Sequence, residues 1–178
     1  MPRFTFALPL ALAIACNSTP PVSSDEEASP GRGPEQLAIL KSLEGKWVSA
    51  DGSEGDGSEG EGPRYEIIAN GSAVMETVFE GQPHEMVTLF TLAGDDLVLT
   101  HFCALGNQPY MRARSSAGTD EIVFDYVSAG DLSSLDEMHM HDARYSFPGP
   151  DQLETAWTLW AGGAPQDVHS SSLVRANP

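Results

Sequence analysis

The sequence predicts an all-β fold: an up-and-down antiparallel β-barrel of about nine or ten strands with a short N-terminal helix. Three observations predict it. After Pro63, apolar and alternating stretches are divided by turn signals at short intervals, the pattern of successive hairpins. Asn70-Gly71 separates residues 64–69 from 72–79, and that dipeptide is the strongest short hairpin signal. No stretch of helical periodicity is long enough for a crossover, which argues against a parallel α/β sheet.

The elements follow in order. Arg3 precedes an apolar run over residues 4–14, interrupted by Pro9, and Ala13-Ile14-Ala15-Cys16 puts small residues before a cysteine. The run is too short to span a bilayer, and its flanks are those of a cleaved signal. It resembles a bacterial lipoprotein signal whose lipobox ends at Cys16. That resemblance implies a lipidated Cys16, a membrane contact through the lipid, and a cell-envelope location with the domain in the periplasm or at the surface. Asn17 after the cysteine is consistent with outer-membrane retention. The alternative is an ordinary secretory signal cleaved nearby. Residues 1–16 are thus expected to be the signal peptide, 17–34 a disordered linker of Ser, Pro, Asp, Glu and Gly, and 35–178 the folded domain.

Within the domain, Leu37, Leu40 and Leu43 recur at helical spacing, Pro34 suits a first turn and Gly45 follows the end, so a helix is expected over 35–44. A strand follows over 46–50. Residues 51–62 form a Gly, Ser, Asp and Glu repeat that fails as an EF-hand loop. Counted from Asp51, the sixth residue is Asp56 rather than Gly and the twelfth is Gly62 rather than Glu. Further strands are expected at 64–69, 72–79, 84–92, 97–103, 110–115, 121–128, 138–147, 152–160 and 167–175, with Gly, Pro, Asn and Asp between them.

The formal net charge is −17, from 26 acidic and 9 basic residues. Such a chain repels the phosphate backbone, so no nucleic-acid partner is expected. It does not adhere electrostatically to anionic lipid headgroups either. Solubility accounts for the charge; a cationic ligand or divalent cations would be the sharper explanation.

A short helix, then Gly45-Lys46-Trp47 opening the first strand, many antiparallel strands and Arg175 in the last one: this resembles the calycin, or lipocalin-like, group, most closely its exported bacterial domains. The resemblance spans residues 35–176. It implies that Trp47, with Gly45, packs in the closed end of a barrel, that Arg175 covers the indole, and that the lumen takes a small ligand.

The most apolar stretch of the domain, residues 84–109, carries the remaining chemistry. A turn centred on Gly94-Asp95 sets Leu92 opposite Leu97, Phe90 opposite Leu99, Thr88 opposite His101 and Met86 opposite Cys103. Alternation then puts those side chains on one face, with His84 at its end. That face is bulky and free of carboxylates, so it is expected to point inward. His139-Met140-His141 places two imidazoles on one face of another strand. Together His84, His101, Cys103, His139 and His141 contain the ligand types zinc prefers, although the two sets lie on strands separated by two others and meet only across the lumen. His101 and Cys103 stand about 6–7 Å apart along their strand, too far for direct proton transfer in a thiol enzyme. A lone Cys103, with Cys16 lipidated, is ordinarily a small buried hydrophobe. Gly106-Asn107-Gln108-Pro109 reads either as turn chemistry or as amide donors and acceptors near a barrel mouth. Trp157 and Trp160 alternate, so at most one lines the interior.

The expected function is therefore a lipid-anchored exported barrel that binds a small, largely apolar molecule, with His84, Phe90, His101, Cys103, Asn107, Gln108, His139 and His141 as ligand-binding candidates. The rivals are a zinc or thiol enzyme built on the histidines and Cys103, and a structural lipoprotein whose barrel is filled by its own side chains. No catalytic residue and no cofactor can be named from the sequence.

Overall fold

The computed structural model describes residue 1 and residues 31–51, 62–115 and 120–176. The expected signal, Cys16 and linker therefore lie outside the described residues, as do most of the acidic repeat and residues 116–119 of one turn. One helix, α1 (Gly33–Lys41), precedes ten strands: β1 (Gly45–Ser49), β2 (Arg64–Ile68), β3 (Ala73–Val78), β4 (Met86–Ala93), β5 (Asp96–Phe102), β6 (Gln108–Ala113), β7 (Glu121–Gly130), β8 (His139–Gly149), β9 (Gln152–Ala161) and β10 (Ala164–Arg175). Each strand pairs antiparallel with its sequence neighbours, and β10 returns to β1, which closes the barrel.

The helix is a short cover over one end of the barrel. Its leucines follow the helical period, and Leu37, Leu40 and the following Leu43 are all buried in the core. Burying one such side chain stabilises by about 1.5–3 kcal/mol. The helix ends earlier than its pattern suggests, at Lys41, because the amides of Ser42, Leu43 and Glu44 turn back to carbonyls three residues earlier. Gly33 allows a close approach: its amide donates to the Asp95 carbonyl at 2.9 Å, and a Cβ there would lie 2.5 Å from that oxygen. Gln36 Nε2 donates to the Arg114 carbonyl at 3.0 Å.

From the helix the chain enters β1 through Gly45, whose φ of +120° is open to glycine and strained for other residues. Trp47 is buried, and its indole N–H donates to the Leu43 carbonyl at 2.8 Å. Arg175, directly opposite in register, lays its guanidinium 4.7 Å from the Trp47 ring centre. It also donates to the Ser42 and Glu44 carbonyls, both at 2.8 Å. The indole, the helix end and the last strand are thus held by one side chain.

The β4–β5 hairpin has the expected register: Leu92 faces Leu97, Phe90 faces Leu99 and Thr88 faces His101. Thr88, Phe90, Leu97, Leu99 and His101 are buried, which settles the inward face, while Phe102 on the other face is 44% exposed. The hairpin across Asn70-Gly71 is present, but its connection is a single 3-10 turn (Ala69–Gly71) with Asn70 left-handed.

The interior near the helix is packed with side chains. Phe90 of β4, Phe124 of β7 and Tyr145 of β8 meet across the barrel with ring centres 5.5–6.0 Å apart. Trp47, Tyr65, Leu97, Leu99, Met111, Ile122 and Leu153 fill the space around them. At the far end the wall is uneven. β10 pairs with β9 from Ala164 to Val174, but with β1 only from Leu173 to Arg175. Residues 164–172 are exposed throughout.

Candidate binding site at the far end of the barrel

The far end gathers the connections 79–85, 103–107, 131–138 and 162–163. Just inside it runs a chain of polar side chains that begins in the core. Glu76 of β3 is the one carboxylate among the buried residues described. It accepts hydrogen bonds from Tyr65 of β2 at 2.5 Å and from Tyr145 of β8, across the barrel, at 2.8 Å. Thr88, its register partner on β4, stands beside it. Burial pushes the Glu76 pKa up, and the three hydroxyls oppose that rise. Both tyrosines are held well above their usual pKa, first by burial and then by the Glu76 charge.

Thr88 passes the arrangement to His101. Its Oγ1 lies 2.9 Å from His101 Nδ1. The direction of that bond depends on the imidazole tautomer: with the Thr88 proton turned to Glu76, Nδ1 carries the ring proton. In that tautomer Nε2 presents its lone pair, and it has no partner among the described residues. The ring is 4% exposed, and burial lowers its pKa to about 4, so it is neutral at neutral pH. Half-buried Trp157 lies against it with ring centres 4.8 Å apart, and also touches Tyr145. His169, exposed, faces Trp157 in register on β10.

A pair of imidazoles stands on β8. His139 is fully buried and its Nδ1 stands 2.7 Å from the Glu137 carbonyl, which can only accept. Its Nε2 then accepts from His141 Nδ1–H at 3.0 Å in the neutral pair. His141 occupies the bulge between Met140 and Asp142, and it stacks between Tyr126 at 4.6 Å and Trp160 at 4.1 Å. Burial, then His139, lowers the His141 pKa, against the pull of Asp142 and Asp125.

The other candidates are dispersed. His84 is exposed on its connection, with its ring 4.5 Å from Phe79. Phe90 sits in the packed core rather than along an accessible wall. Cys103 is half-buried with its sulfur 3.9 Å from Met86 Sδ, and burial raises its pKa, which favours thiol over thiolate. Gln108 turns back to the Gly106 carbonyl at 2.8 Å. Asn107 is buried; its Nδ2 donates to the Met138 carbonyl at 2.8 Å, and its Oδ1 has no partner among the described residues. Among the described residues, no group of three or more His, Cys, Asp and Glu side chains is placed to hold a metal ion. Two surface depressions, of about 320 and 130 Å³, lie beside the helix and beside β1 and β2, and neither includes His101, Asn107 or Trp157.

His101 stands out in the sequence by residue type and strand face, whereas Glu76, Tyr65, Tyr145 and His169 do not. The available signal for Glu76 was a carboxylate on the same strand face as Val74, in a segment that is otherwise apolar or hydroxylic. What the fold and site define is a closed ten-strand antiparallel barrel, compatible with a lipocalin-like architecture, with a packed core and an oriented imidazole toward its far end. Comparison with protein-family models finds no match, and comparison with curated proteins finds none either.

Proposed function

We propose that this protein is a lipid-anchored, exported binding module that takes a small, largely apolar molecule at the far end of its barrel, against Trp157. The observation that carries the reading is His101 Nε2: a buried ring nitrogen with no partner among the described residues, and an acceptor when Thr88 holds the ring proton on Nδ1. Leaving a buried polar atom unpaired costs about 1–3 kcal/mol, and a ligand donor would recover part of that. Because His101 is covered by Trp157, a ligand reaching Nε2 stacks on that indole or moves it. The anchor at Cys16 and the envelope location rest on the signal-like N-terminus.

The thiol-enzyme reading draws no support from a cysteine held as thiol beside a methionine. The filled-barrel reading draws its support from the aromatic core, which extends from the helix to Phe90 and Tyr145.

Titration of the isotope-labelled protein with indole, phenol, benzyl alcohol and hexanol tests binding. Shift changes centred on His101, Asn107 and the Trp157 indole support the reading. No response, or changes confined to the depression beside the helix, would leave the filled barrel as the better account. In cells, Cys16→Ser is expected to abolish fatty-acid labelling and release the domain from membranes; unchanged fractionation would remove the anchor.

A further inference from the structure

We propose that the molecule taken at the far end is a small organic cation, a protonated amine on an apolar body, recognised through its N–H donors. The inference rests on the binding reading above and names the chemistry of the ligand's polar end.

Three independent features converge. The first is the kind of atom left unpaired. His101 Nε2, in the tautomer with its proton on Nδ1 toward Thr88, and Asn107 Oδ1 are both acceptors, in side chains 4% and 5% exposed, and neither has a donor among the described residues. An ammonium offers three donors and no acceptor. A carboxylate or phosphate offers only acceptors and would face two of its own kind.

The second is charge. The nine Lys and Arg residues are all absent from segments 78–86, 102–108, 126–142 and 157–172, which build the far end. The same segments contain Glu80, Glu85, Asp131, Asp136, Glu137, Asp142 and Asp167. Arg64, at the start of β2, reaches in to Glu80 at 2.7 Å. Arg64 offsets Glu80, and the other six carboxylates leave the rim net negative, which raises the local concentration of cations and slows the approach of anions. Below the rim, the hydrogen-bond partners of buried Glu76 are hydroxyls rather than a cationic side chain.

The third is the aromatic surface. Trp157 lies on His101, while Trp160 and Tyr126 sandwich His141, and all three rings are partly accessible. Indole faces attract alkylammonium groups. A bare metal ion is disfavoured by the lack of any three-ligand group among the described residues.

The test is a matched titration at 150 mM salt with butylamine, benzylamine and tryptamine against benzyl alcohol and benzoate. It is followed by Trp fluorescence and by the ¹⁵N shift of His101 Nε2. At least one amine is expected to bind tenfold or more tighter than benzyl alcohol and to shift Nε2, with benzoate silent. His101→Phe, which retains a ring against Trp157, should abolish amine binding. Glu76→Gln should reduce the amine-to-alcohol preference severalfold. Amine binding that survives His101→Phe and fades with added salt would be surface adhesion and would overturn the proposal. Equal binding of benzylamine and benzyl alcohol overturns the cation but leaves the binding module standing. Silence from every probe overturns both. The Nε2 shift in the unsubstituted protein decides the matter even if a variant fails to fold.

Discussion

The guanidinium of Arg175 covers the ring of Trp47 at 4.7 Å while its two terminal nitrogens bond the Ser42 and Glu44 carbonyls. One side chain therefore completes the barrel seam, caps the chain after the helix and seals the core. Replacing it by Ala removes these two hydrogen bonds, a third from Nε to Asp151 at 2.8 Å and a cation–π contact, and should cost about 2–3 kcal/mol in urea unfolding. Lys should recover less than half, because it cannot bond both carbonyls in one plane. An Arg175→Ala variant as stable as the parent would show that the seam is held by strand pairing alone.

Glu76 is expected to behave as a hub. Glu76→Ala leaves two buried tyrosine hydroxyls without their acceptor, so a loss of about 3 kcal/mol or more is expected. Tyr145→Phe alone should cost about 1 kcal/mol, and much less when combined with Glu76→Ala, since its partner is already gone. Additive losses in the double variant would show that the hydroxyls do not depend on the carboxylate.

The pH dependence follows from His101. Its folded pKa of about 4 lies below the unfolded value near 6.5, so the unfolded chain binds more protons between those limits and stability falls as pH drops through them. The full shift corresponds to about 3 kcal/mol. Glu76 works in the opposite sense, because its raised pKa lets the folded protein take up a proton first as pH falls. Unfolding of the parent and of His101→Phe at several pH values separates the two. The stability gap between them should move by about 2–3 kcal/mol against the parent from pH 7 to pH 4. A constant gap would mean that burial does not hold His101 neutral.

Much of the barrel was legible because strand physics is local. Gly94-Asp95 and the alternation around it were enough to pair Thr88 with His101 and to choose the inward face. The spacing of Leu37, Leu40 and Leu43 was enough for the helix, although its end depended on tight backbone bonding that periodicity does not express. The site was legible only in part. His101 and Asn107 stood out by residue type, but the contact of Glu76 with Tyr145 joins β3 to β8 across the interior, and no sequence pattern reports the stagger that brings them together. The pairing of His139 with His141 was visible as a spacing, whereas the bulge at His141 and the Trp160 stack were not. Phe90 shares its face with His101 yet lies deeper, where rings from three strands close the barrel.

The central claim is that His101 is a neutral imidazole with its proton on Nδ1 and a free acceptor at Nε2. Long-range ¹H–¹⁵N spectroscopy of the ¹⁵N-labelled protein reads this directly. The expected result is a protonated Nδ1 and an unprotonated Nε2 from pH 7 down to about 5, with titration near 4. A proton on Nε2 at neutral pH, or an ordinary titration near 6.5, would contradict it.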